Sequence, residues 1–202
     1  MIGFDHIYTS YLSAKNKMKE LSKHIEENWL NSLKLIDVNT EEEIYAFSFF
    51  VYDDEDDPRR PTVTIGYNTN SNFQNQINRA SNEAEAKWNY AFWLQNSILE
   101  IGHEEDESGK LLVSNWISEL GLNYTDQEGE EDYDSCEKKG EQITEQFTKL
   151  LTEIVKNSHI SGLTEKPIII HELEYYDKIK IQNIEANGLE RVKEFTKWLD
   201  DM

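Results

Sequence analysis

The sequence predicts an α+β fold: a long N-terminal helix, a central and mostly antiparallel sheet containing a hairpin, and flanking helices. Three observations carry that expectation. The opening residues place apolar side chains at alternating steps of three and four. Two later stretches, "EEIYAFSFFVYDD" and "PTVTIGYNT", are dense in β-branched and aromatic residues. The chain then returns to helical spacing before a further apolar run, "KPIIIHELEYYD". A length of 202 residues fits one domain, residues 1–202, large enough for a real hydrophobic core.

The first 36 residues read as helix. Ile7, Tyr11, Ala14, Met18, Leu21 and Ile25 form a stripe that Trp29, Leu33 and Ile36 continue, with Lys, Glu and Asn opposite. Six positions, one of them Ala, are few for a coiled coil, so packing on a sheet is expected. In "EEIYAFSFFVYDD" the apolar residues are nearly continuous, as in a strand covered on both faces. With "PTVTIGYNT" it forms an antiparallel hairpin whose tip holds five consecutive acids, Asp53, Asp54, Glu55, Asp56 and Asp57, closed by Pro58, Arg59 and Arg60. "NFQNQINRASNEAEA" reads as helix and runs into the aromatic segment "KWNYAFWLQNSILEIG". "GKLLVSNWISELGL" is an amphipathic helix with Leu112, Trp116 and Leu120 in register and Gly121 as its C-terminal cap. At about 125–137, "TDQEGEEDYDSCE" carries seven acids and little to bury, and is expected to be an exposed acidic loop. "EQITEQFTKLLTEIVKNSHI" is helical. "KPIIIHELEYYD" reads as a strand with "IKIQNIEA" as its hairpin neighbour, and "GLERVKEFTKWLDD" closes the chain as a helix. Helix, paired strands, helices, strands and helix in that order describe an α+β domain.

Composition narrows the function classes. The 40 acids outweigh 20 bases, for a formal charge of −20. A surface so negative disfavours nucleic acid and anionic membrane, because phosphate binding rests on Lys and Arg neutralising a polyanion. It leaves room for basic proteins and for cations. Apolar residues make up 38% and aromatics 11%, a content that disordered chains lack. The single cysteine, Cys136, excludes an internal disulfide and a cysteine metal cluster. "MIGFDHIYTSYLSAKNKMK" has no unbroken apolar core of signal-peptide length, and no apolar run approaches the roughly 20 residues of a membrane helix, so the expected compartment is the cytoplasm.

Motifs for chemistry are scarce. A helix–loop–helix calcium site needs Gly at its sixth position, where the two acidic stretches place Pro58 and Glu131. "HELEY" at 171 begins like a zinc-protease helix, but its fifth residue is Tyr175. There is no Gly-x-Ser-x-Gly elbow, and Cys136 lies among acids that raise a thiol's pKa. Among 40 acids, carboxylate pairs arise by chance and say little. No cofactor and no metal is therefore expected. The aromatic cluster around Trp88 and Trp93 reads as core, with an anchor surface for a partner as the functional alternative.

"IYAFSFFVYDD", then "TIGYNT", then "AKWNYAFWLQN" and the helix ending "WISELGL", resemble the uncharacterised bacterial family called domain of unknown function 4303. Trp88 and Trp93 match its Trp-x-x-x-x-Trp segment, and the resemblance covers nearly the whole chain. The acidic tip and the insert at 125–137 depart from the family's pattern. The family has no established catalytic residues to carry over. In size and polarity it is similar, by analogy, to immunity proteins of bacterial toxin systems.

The expectation for function is thus a non-enzymatic, acidic cytoplasmic binding protein, in its most concrete form an immunity protein neutralising a basic toxin. Asp53 to Asp57, with Asp126, Glu128, Glu130, Glu131, Asp132 and Asp134, would steer the partner, and Trp88 and Trp93 would supply affinity. The alternative from another class is an enzyme or metal-binding factor assembled from distant residues. Its seeds are His171 and Glu172 with His103 or His159.

Overall fold

The computed structural model of the chain describes residues 4–175 and 177–202, with side chains from Asn16 onward except Tyr176. Helix α1 (Phe4–Leu33) leads through short α2 (Val38–Glu43) into strands β1 (Ile44–Asp53) and β2 (Pro61–Thr69). Two short helices, α3 (Asn70–Gln76) and α4 (Glu83–Trp88), precede strand β3 (Leu99–Ile101) and helix α5 (Glu107–Glu119). Then come α6 (Asp126–Glu131), α7 (Tyr133–Ile160), strand β4 (Ile168–His171), α8 (Asp177–Asn187) and α9 (Leu189–Asp200).

The four strands lie in the order β3-β2-β1-β4. β1 runs antiparallel to β2, with Val51 opposite Val63, and β2 antiparallel to β3. β4, reached through the long α7, runs parallel to β1 with Ile170 beside Phe49. Alternation along the strands sorts residues to two faces. Phe47, Phe49, Val51, Val63, Ile65, Ile168 and Ile170 meet Leu21, Ile25 and Trp29 of α1, Trp116 of α5, and Phe147 and Ile154 of α7. The opposite face sets Ala46 and Ile169 against Trp88, Trp93, Ile179, Val192, Phe195 and Trp198. Helices on both sides explain why β1 reads as a near-continuous apolar run.

Leu21, Ile25 and Trp29 are fully buried, as the helical stripe predicts, and the Trp29 ring stands edge-on to Phe47 and Phe49 at 5.1 and 5.4 Å. Met18, on the same stripe, is 42% exposed, so among the described side chains the packed stripe runs from Leu21. Ile7, Tyr11 and Ala14 lie outside the described side chains. Gly121 takes a φ of +70° and its N–H reaches Ser118, ending α5 as expected.

Two expectations are corrected. "IKIQNIEA" is not a hairpin strand but the body of α8. Its buried residues Ile179, Asn183, Ala186 and Asn187 recur at helical steps, while Ile181 is exposed. The stretch at 125–137 is exposed, as expected, but helical rather than a loop. Thr125 accepts the Glu128 N–H, and the Glu128 carboxylate reaches back to the Thr125 N–H, a capping box that starts α6. Asp132 then caps α7 through the Ser135 N–H. Acids at helix N-termini meet the positive end of the dipole, which favours helix where charge alone suggests disorder.

The buried asparagines of α8 have a specific task. Asn187 Oδ1 accepts the Ile168 N–H at 2.8 Å while its Nδ2 donates to the Ile168 carbonyl at 2.9 Å. Asn183 treats Ile170 in the same way, at 2.9 and 2.7 Å. Four helical residues advance ~6 Å, close to the ~6.6 Å between alternate strand residues. A pair spaced i, i+4 therefore matches the free edge of β4 and satisfies groups that would otherwise template pairing with another chain.

Candidate functional site

The β1–β2 tip is a turn built without glycine. Glu55 and Asp56 take φ of 56° and 57°, the left-handed region, which costs non-glycine residues ~1–2 kcal/mol each. Backbone bonds from Asp57 N–H to Asp54 and from Arg60 N–H to Asp57 hold the turn, and Asp54 N–H to Arg60 closes it. The two arginines fold back on the acids. Arg59 grips Asp57 with two hydrogen bonds of 2.8 Å and donates to the Tyr124 carbonyl at 3.0 Å, its guanidinium 4.9 Å from the Tyr124 ring. Arg60 pairs with Glu55 and stands 2.9 Å from Asp54 Oδ2, an ion pair not aligned as a hydrogen bond.

Arg59 also reaches Asp126, at 2.6 Å. This single residue joins two acidic stretches some 70 positions apart in sequence. The tip is seated on α7, where a Cβ on Gly140 would lie 2.8 Å from the Pro58 ring. The result is one face composed of the tip, α6 and the start of α7. Residues 53–60 and 124–139 contribute twelve acids against Arg59, Arg60, Lys138 and Lys139.

The acids differ in what they can offer. Asp54 is 8% exposed and committed to Arg60. Burial opposes ionisation of Asp57, but the hydrogen bonds from Arg59 outweigh it and hold the carboxyl below the usual range. Glu128 is likewise held low by the backbone and hydroxyl of Thr125. Glu131 accepts from Gln127, and Asp132 serves as a cap. Asp56, Glu130 and Asp134 are exposed and, among the described residues, their side chains have no hydrogen bond or ion pair. Asp53 is the strained member: its Oδ1 is buried without a hydrogen-bond partner. Burial first, then the charges of Glu172, Asp57 and Asp56, push it up to about 6.

Trp88 and Trp93 lie in the core, the first of the two readings, and not on an anchor surface. They are 5% and 6% exposed, packed edge-on to Tyr45, with the Trp93 Nε1 donating to the Lys87 carbonyl at 2.9 Å. They present no surface to a partner. The capping signature Thr125-x-x-Glu128 was readable in the sequence and is the signal that would have placed a helix start at Asp126.

The histidine seeds sit on different elements. His171 ends β4, and His159 ends α7, bonded to Thr164 and Asn187. His103 follows β3, with Nδ1 3.6 Å from Glu100. His171 makes a serine–histidine pair: the Glu172 carbonyl, 3.0 Å from Nδ1, fixes a proton there, so Nε2 accepts from Ser48 at 2.8 Å. Both residues are 1% exposed, and the His171 ring packs against Phe50, Tyr90 and Tyr175. Burial pushes His171 down to about 4. Among the described residues, no three His, Cys, Asp or Glu side chains are grouped to hold a metal ion, and no helix is long and apolar enough to cross a membrane.

Comparison of the chain with protein-family models, curated proteins and solved structures gives no match.

Proposed function

We propose that this chain is a non-enzymatic binding protein that takes a basic protein partner on the acidic face of the β1–β2 tip, α6 and the start of α7. The observation that carries the reading is the Arg59 bridge, which gathers the two acidic stretches into one surface. A concentrated field speeds and orients encounter with a cationic partner. Asp56, Glu130 and Asp134 are the acids free to meet it. In its most concrete form the proposal is a cytoplasmic immunity protein against a basic toxin, and membership in the domain of unknown function 4303 family belongs to the same proposal.

The test is co-purification of the tagged protein from its own cells at low and high salt, with partners identified by mass. The proposal expects one basic protein, retained at low salt and weakened at high salt. Retention that salt does not affect would count against an electrostatic face.

A further inference from the structure

Beside the acidic face lies a cavity of about 510 Å³, between the hairpin tip, α5 and the Asn123–Tyr124 segment. Its volume falls within the ~300–1,000 Å³ of small-molecule sites. Its charge runs against the rest of the molecule. In a chain of net charge −20, the cavity is lined by Arg59, Arg60 and Lys110, with Glu107 the single acid among the described residues that line it. Leu111, Val113 and Tyr124 supply apolar and aromatic surface, and Leu111 is 62% exposed.

The three cations contribute differently. Arg59 is almost fully engaged by Asp57, Asp126 and the Tyr124 carbonyl. Arg60 pairs with Glu55 and Asp54, so most of its five N–H donors are left for another acceptor. Lys110 has no ion pair and no side-chain hydrogen bond among the described residues, and supplies the uncompensated charge. We propose that this cavity binds a small organic anion: a carboxylate, sulfonate or phosphate on a flat apolar body, the anion on Lys110 and Arg60 and the body against Leu111 and Tyr124. Such binding does not require the protein partner.

The probe is 8-anilinonaphthalene-1-sulfonate, titrated by fluorescence onto the full chain beside its uncharged analogue N-phenyl-1-naphthylamine. One saturable site is expected. Lys110→Glu should weaken it at least about tenfold, and the uncharged analogue should bind at least about tenfold more weakly, since a charge-assisted contact is lost in each case. Lys156→Glu, an equal charge change on the far part of α7, should leave binding within about twofold. Lys110 is unpaired among the described residues, so its substitution should preserve the fold, and matching thermal unfolding checks this. No fluorescence rise would overturn the site. So would equal binding by wild type and Lys110→Glu, equal losses in both lysine variants, or equal binding of the uncharged analogue.

Discussion

The free edge of β4 and the β1–β2 tip use polar residues in opposite ways. At the β4 edge, Asn183 and Asn187 satisfy four buried backbone groups and are themselves satisfied, without any charge. At the β1–β2 tip, arginines neutralise Asp54, Glu55, Asp57 and Asp126 while Asp53 keeps a buried, unbonded oxygen. The first arrangement closes a surface. The second leaves residual charge, and residual charge is what a partner can use. Stability should therefore depend on the asparagines, and association on the acids.

That contrast can be broken most sharply at the edge. Asn183→Ala leaves the Ile170 N–H and carbonyl buried and short of a partner, and should cost about 3 kcal/mol in urea unfolding. A loss under about 1 kcal/mol would mean that Gln182, which also reaches the Ile170 carbonyl, suffices there. Next in size is the seat of the tip. Gly140→Val would push against Pro58 and should cost about 2 kcal/mol. Gly129→Ala in α6 meets nothing within 4 Å and should be neutral or stabilising by up to about 1 kcal/mol.

The pH dependence separates the two regions further. Asp53 has a folded pKa of about 6 against an ordinary carboxylate value of 3.8, so its contribution is intact below 3.8 and lost as pH rises through 6. Asp53→Asn should therefore stabilise the protein by about 1 kcal/mol at pH 7, after solvent screening is allowed for, and by nothing below about pH 4. His171 has the opposite sign: lowered from 6.5 to about 4, it costs stability as pH falls through that window. In wild type the two offset each other, so Asp53→Asn should steepen the acid limb between pH 6.5 and 4 in pH-resolved chemical unfolding. The smallest effect is expected at Asp126→Asn, under about 0.5 kcal/mol, because the pair is exposed and Arg59 keeps Asp57.

Much of the fold could be read from local pattern. The α1 stripe, the β1–β2 hairpin and the Gly121 cap each depend on residues close in sequence. What escaped depends on distant partners. Strand β3 has three residues and exists because β2 offers an edge beside Ile101. α8 looked like a strand because Ile179 and Ile181 alternate, while its asparagines declare a helix only once β4 is beside them. At the candidate site, both acidic stretches were legible as charge. Their union was not, because it rests on Arg59 spanning from one turn to another. Trp88 and Trp93 were legible as core residues, but their packing against Tyr45 depends on where α4 sets them.

We propose that the tip and the α6–α7 junction act as one docking face. The direct measurement is the association rate of the co-purified partner with wild type, with Asp56→Asn, with Glu130→Gln/Asp134→Asn, and with all three changes, at low and high salt. The account predicts that each set slows association, that together they slow it about tenfold at low salt, and that dissociation stays within about twofold. Rates equal to wild type in all three variants, or a loss confined to one stretch, would contradict it.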